Sequence, residues 1–144
     1  MADIIKTLQN NACGIFSSHP VLFAYVYGSV ASGMAHRFSD LDIGVYLRPD
    51  CADNVLETEL NLSLEIDRQL GHVIETDVRA INTLPLELVG RILTEGVLVY
   101  CADESRRVAF EVLLRKQYFD FLPLIRRHRR AYIESAKRKR DHHG

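Results

Sequence analysis

The chain has 144 residues, 47% of them apolar and 26% charged, which is enough for one domain with its own core and argues against a mainly disordered chain. No apolar run approaches the ~20 residues of a membrane span, and no charged-then-apolar leader opens the chain, so a cytoplasmic protein is expected. The formal net charge of −1 hides an asymmetry: residues 1–125 carry 10 basic and 17 acidic side chains (−7), residues 126–144 carry 8 and 2 (+6).

Ile4, Ile5, Leu8, Ala12, Ile15 and Phe16 recur at helical spacing over residues 2–17, and His19-Pro20 ends that helix. Val21 to Tyr27 is β-branched or aromatic almost throughout and stops at Gly28, the pattern of a buried strand. Leu41 to Leu47 alternates, with Leu41, Ile43, Val45 and Leu47 on one face and Asp40, Asp42, Gly44 and Tyr46 on the other. Residues 53–70 follow as an amphipathic helix with two leucine rows, Leu56-Leu60-Leu64 and Leu62-Ile66-Leu70, closed by Gly71.

Val73 to Ala80 is a third strand, with Ile74, Thr76 and Val78 on one face and Val73, Glu75, Asp77 and Arg79 on the other. Residues 84–95 form a short helix with Thr83 as N-cap and Gly96 at its exit, and Val97 to Cys101 a short strand. A basic helix then runs from about 104 to 140, with Pro123 expected to kink or split it near Leu122. The expected whole is a single α+β domain over 1–144, a small mixed, twisted sheet with flanking helices.

Cys13, Cys51 and Cys101 are odd in number and far apart, which excludes a disulfide framework or a zinc site as the organising feature. His142-His143 has no ligand spacing.

The chemistry is concentrated in Gly28-Ser29 and Ser39-Asp40-Leu41-Asp42, with ten residues between Ser29 and Asp40. Gly28 lets the chain leave a strand in a conformation closed to other residues, and a helix beginning near Val30 and running to about Ala35 offers free N–H groups to a triphosphate. Ser29 adds a hydroxyl donor there. Gly28, Ser29 and Ser39 are the nucleotide-side candidates, Ser39 having the alternative role of positioning Asp40. Asp40 and Asp42, two apart on a strand, leave the same face, and such close carboxylates call for a cation between them. Hard oxygen donors beside a triphosphate select Mg²⁺, and two ions ~3.5–4 Å apart suit an in-line displacement. Asp77 on the next strand is the third carboxylate, as metal ligand or as base for an attacking hydroxyl; Glu75 is the fallback for that role.

The pattern Gly-Ser-x10-Asp-x-Asp with a later strand Asp resembles the nucleotidyltransferases of the DNA polymerase β superfamily. Size, Asn82-Thr83-Leu84-Pro85, Arg91-Ile92-Leu93-Thr94-Glu95-Gly96, Leu98-Val99-Tyr100 and Phe119-Asp120-Phe121 narrow the resemblance to the minimal nucleotidyltransferases (MNT), over roughly residues 20–135. The resemblance implies an enzyme that transfers AMP from ATP to a tyrosine of a HEPN-domain ribonuclease toxin, acting as its antitoxin. It assigns no role to Met34, His36 or Arg37, and Arg91 is read as a solvated helix residue or a phosphate or partner contact.

Two rival functions are weighed. A small-molecule nucleotidyltransferase of the aminoglycoside-modifying type usually carries an extra helical domain, for which little chain remains. A non-enzymatic antitoxin acting by contact alone has no need of clustered carboxylates. The basic residues Arg126 to Arg130 and Lys137 to Arg140 suit an acidic partner face or plain solvation better than nucleic acid.

Overall fold

A computed structural model describes residues 2–143; Met1 and Gly144, and the side chains of Ala2, Asp3, Ala52, Asp141, His142 and His143, lie outside the description. The elements in chain order are α1 (Ala2–Phe16), β1 (Val21–Tyr27), α2 (Gly28–Ser32), β2 (Leu41–Leu47), α3 (Val55–Gln69), β3 (Thr76–Ala80), α4 (Leu86–Glu95), β4 (Val97–Cys101) and α5 (Glu104–His143). Two short 3-10 turns, Pro49–Asn54 and Ile81–Thr83, precede α3 and α4.

The four strands form one mixed sheet in the order β3-β2-β1-β4. β1 runs antiparallel to β2 and β4, and β2 parallel to β3. Because side chains alternate across a strand, the sheet buries two cores. On one face Ala24, Val26, Leu41, Ile43, Val45 and Val78 meet Leu8 and Ile15 of α1 and Leu62 and Ile66 of α3. On the other, Phe23 and Tyr25 meet Val89, Ile92 and Leu93 of α4, with Phe110 and Leu114 of α5 packed on them. The Tyr25 hydroxyl donates to Glu111 Oε1 at 2.6 Å and Arg115 Nη2 to the Leu93 carbonyl at 2.8 Å, tying α5 to the body.

Several boundaries differ from expectation, each for a physical reason. The helix expected over 53–70 begins at Val55 after a 3-10 turn, because Pro49 starts a tighter coil first. Only the Leu62-Ile66 row is buried; Leu56, Leu60 and Leu64 are 69%, 56% and 68% exposed. The two rows are centred about 120° apart around the helix, and a helix packed on one side against a sheet buries one of them. β3 starts at Thr76 instead of Val73, since pairing to β2 begins at Leu41–Thr76 and the chain before it turns through Gly71 and His72, both at positive φ. α4 starts at Leu86 with Pro85 at its cap position; the Thr83 hydroxyl instead donates to the Ala80 carbonyl within the preceding 3-10 turn. α5 is unbroken through Pro123, which sits on an exposed stretch where water can satisfy the carbonyl that loses its partner.

α5 is 40 residues long, and its last part, with Arg126, Arg127, Arg129, Arg130 and Lys137 to Arg140, stands exposed. No described helix is long and apolar enough to cross a membrane.

Gly90 marks the tightest seam between α4 and α5: a Cβ there would lie 2.1 Å from Tyr118 Cδ2 and 2.8 Å from its Cβ. The clash reaches the root of the Tyr118 side chain, so rotation alone does not relieve it. Gly90→Ala is expected to lower unfolding free energy by about 1–3 kcal/mol, read by urea denaturation. A variant as stable as the parent would show that α5 is not seated on Gly90.

Candidate active site

The sheet's geometry assembles the site at the end of β1. Tyr27, the last residue of β1, pairs with Asp42, and Asp42 pairs with Asp77 across the parallel β2–β3 ladder. Paired residues project to the same face, so Tyr27, Asp42 and Asp77 stand in one row. Asp40 lies just before β2, close enough for its charge to act on Asp42.

Gly28 follows Tyr27 with φ +74. A Cβ at this position would come within 2.5 Å of Asp42 Oδ2. The missing side chain therefore serves two ends: it allows the left-handed turn out of the strand, and it leaves room for the Asp42 carboxylate. Ser29 and the buried Val30 continue into α2, which ends at Ser32 with Gly33 as a left-handed cap at φ +76, short of the Ala35 expected. Five residues make only a small dipole, so what this turn offers an anion is its free first-turn N–H groups and the Ser29 hydroxyl.

The turn that delivers Asp40 is held by its own hydrogen bonds. The His36 N–H donates to Ser39 Oγ at 2.9 Å, and the Phe38 N–H to His36 Nδ1 at 3.2 Å. The Ser39 hydroxyl oxygen thus closes the turn just before Asp40. Arg37 stacks its guanidinium 4.7 Å over the Phe38 ring. Beside Asp40 this turn and the His72–Glu75 segment enclose a cleft of about 520 Å³. Glu75 lines that cleft just before β3, whereas Asp77 is the residue in register with Asp42. Arg91 is exposed on α4.

Burial, then the charges of Asp77 and Asp40, raise the Asp42 carboxyl above the usual carboxylate range; Arg79 opposes them. Burial and Asp42 push the Tyr27 hydroxyl up to about 12, so it is neutral and a hydrogen-bond donor near pH 7. Asp77 Oδ2 lies 3.4 Å from Arg79 Nε. Among the described residues, no three His, Cys, Asp or Glu side chains are gathered as a ready metal cage. The donor chemistry nonetheless suits a hard divalent cation: carboxylate oxygens whose mutual repulsion a cation would relieve.

Two residues of this neighbourhood escape the motif reading. Arg79 sits two places after Asp77 on the same strand face, a spacing of the kind that paired Asp40 with Asp42. Tyr27 is found only once the register of β1 against β2 is known.

The profile of the family described as Polymerase beta, Nucleotidyltransferase matches residues 3–105. The chain belongs to this family. No curated protein matches the chain. Among solved structures, a toxin–antitoxin complex with AMP-PNP contains a chain of similar fold, at TM-score 0.65 and 19% identity over 90% of this chain and 98% of that one. A complex of tri-AMPylated Shewanella oneidensis HEPN toxin with MNT antitoxin gives 0.63 and 17%, over 92% and 98%. An MntA–HepT toxin–antitoxin structure gives 0.62 and 16%, over 92% and 98%. The similarity of fold to these chains covers 90–92% of this chain, beyond the residues that the family profile matches.

Proposed function

We propose that the chain transfers AMP from ATP, with Mg²⁺, to a tyrosine hydroxyl of a partner HEPN ribonuclease toxin in the cytoplasm, and thereby acts as its antitoxin. The observation that carries this reading is the row formed by Asp42 and Asp77 in register, with Gly28 opening space at Asp42. The family supports the reaction class. Two structural neighbours, a toxin–antitoxin complex with AMP-PNP and a complex holding a tri-AMPylated HEPN toxin, support the donor and the acceptor.

Asp40, Asp42 and Asp77 would hold the metal, as two ions or one. Bound there, Mg²⁺ supplies positive charge to the triphosphate and to the attacking and leaving oxygens. The free first-turn N–H groups of α2 and the Ser29 hydroxyl donate to phosphate oxygens and hold the α-phosphorus in place. The acceptor oxygen attacks that phosphorus, the bond to the bridging oxygen of the β-phosphate breaks, and pyrophosphate leaves. Asp77, at the β3 end of the row, takes the hydroxyl proton.

Asp77→Asn keeps shape and removes the base. It is expected to bind the toxin as the parent does, by gel filtration, while transfer of labelled AMP falls by ~10²–10⁴-fold, more if Asp77 also ligates metal. Undiminished transfer would remove Asp77 from the mechanism. Full rescue of growth without labelling would favour neutralisation by contact alone.

A further inference from the structure

The carboxylate row carries its own cation. Arg79 pairs with Gly44 two rungs beyond the Asp42–Asp77 rung, so its side chain emerges on the same sheet face as both carboxylates. Its Nε approaches Asp77 Oδ2 to 3.4 Å, and its charge opposes the mutual repulsion felt at Asp42. Both side chains are about half exposed, at 54% and 47%, so the pair is reachable from solvent and its strength is that of a screened surface pair. A contact of that strength is one a divalent ion can displace.

We infer that Arg79 occupies the cation position on Asp77 until a divalent metal displaces it. The inference rests on the metal-dependent reading of the same site. In the metal-free protein Arg79 holds Asp77 to itself. With a divalent ion bound, Asp77 is shared with it and Arg79 is freed to solvent along the groove that Asp77 and Arg79 already line with Leu56, Leu60 and Leu84. Arg79 is thus a gating residue that acts through Asp77, and it sets how much metal is needed to assemble the site.

The test is Mn²⁺ alone, titrated into the purified metal-free chain and followed by the loss of the free-ion electron paramagnetic resonance signal. Arg79→Gln is expected to bind Mn²⁺ about three- to tenfold more tightly than the parent, the scale of one screened charge a few ångströms away. Arg79→Lys, which keeps the charge, should stay nearer the parent. In an Asp77→Asn background, Arg79→Gln should bring little further gain. Equal affinities for the parent and Arg79→Gln would overturn the gating role, as would a gain that persists undiminished without Asp77, because the arginine would then act only as a distant charge. Failure of both the parent and Arg79→Gln to bind Mn²⁺ would instead bring down the metal-site reading and the gate with it. Arg79 is exposed, so its variants should melt close to the parent, which circular dichroism checks.

Discussion

Asp42→Asn is expected to abolish measurable transfer, a loss of ~10³-fold or more, while leaving a folded and more stable metal-free protein. The two halves of this expectation have one cause. Asp42 is half-buried, beside Asp77 and Asp40, and the fold holds its carboxyl above the usual carboxylate range. A carboxyl raised by folding is favoured in its neutral form, so its ionisation costs stability as pH climbs through and above the carboxylate range. Asparagine removes that cost. The gain in melting temperature for metal-free Asp42→Asn should therefore be present at pH 7 and fade as pH falls below the unfolded carboxyl value near 4. Adding Mg²⁺ should stabilise the parent more than the variant. Loss of activity together with loss of fold would point to a structural role for Asp42 instead.

Gly28→Ala should be nearly as damaging, and through the same carboxylate. Its new methyl would meet Asp42 Oδ2 at 2.5 Å, on a backbone at φ +74 that L residues avoid. The strain costs about 1–2 kcal/mol of stability. Transfer should fall by ~10²-fold or more even in the folded fraction, because a carboxylate pushed aside no longer fits the reacting geometry. A side chain at Gly28 thus collides first with the Asp42 carboxylate. The readouts are chemical denaturation alongside AMP transfer measured well below the unfolding temperature. Parental transfer by folded Gly28→Ala would show that the site tolerates a side chain there.

The strands were legible because β-branched and aromatic runs ended at Gly28, Arg48-Pro49 and Ala102, and β1, β2 and β4 stand as expected. The spacing from Ser29 to Asp42 was legible for the same reason: it spans one strand exit and the next strand's start, whose separation the pleat and the turn constrain. Periodicity could not decide which leucine row of α3 meets the sheet, since both rows repeat every four residues. That choice depends on how the helix is docked. The Asp77–Arg79 contact was hidden differently. Alternation puts both on one face, but that the arginine turns to the aspartate is a matter of side-chain rotamer, which the pattern does not contain. The continuity of α5 through Pro123 reflects exposure, which local propensity does not contain.

The most direct measurement is the intact mass of the HEPN toxin after co-expression with the parent chain and, separately, with Asp40→Asn/Asp42→Asn. The account predicts a toxin heavier by one or more AMP units with the parent, the label mapping to a tyrosine, and an unmodified toxin that still arrests growth with the double variant. An unmodified toxin beside the parent, with growth restored by both proteins, would contradict it.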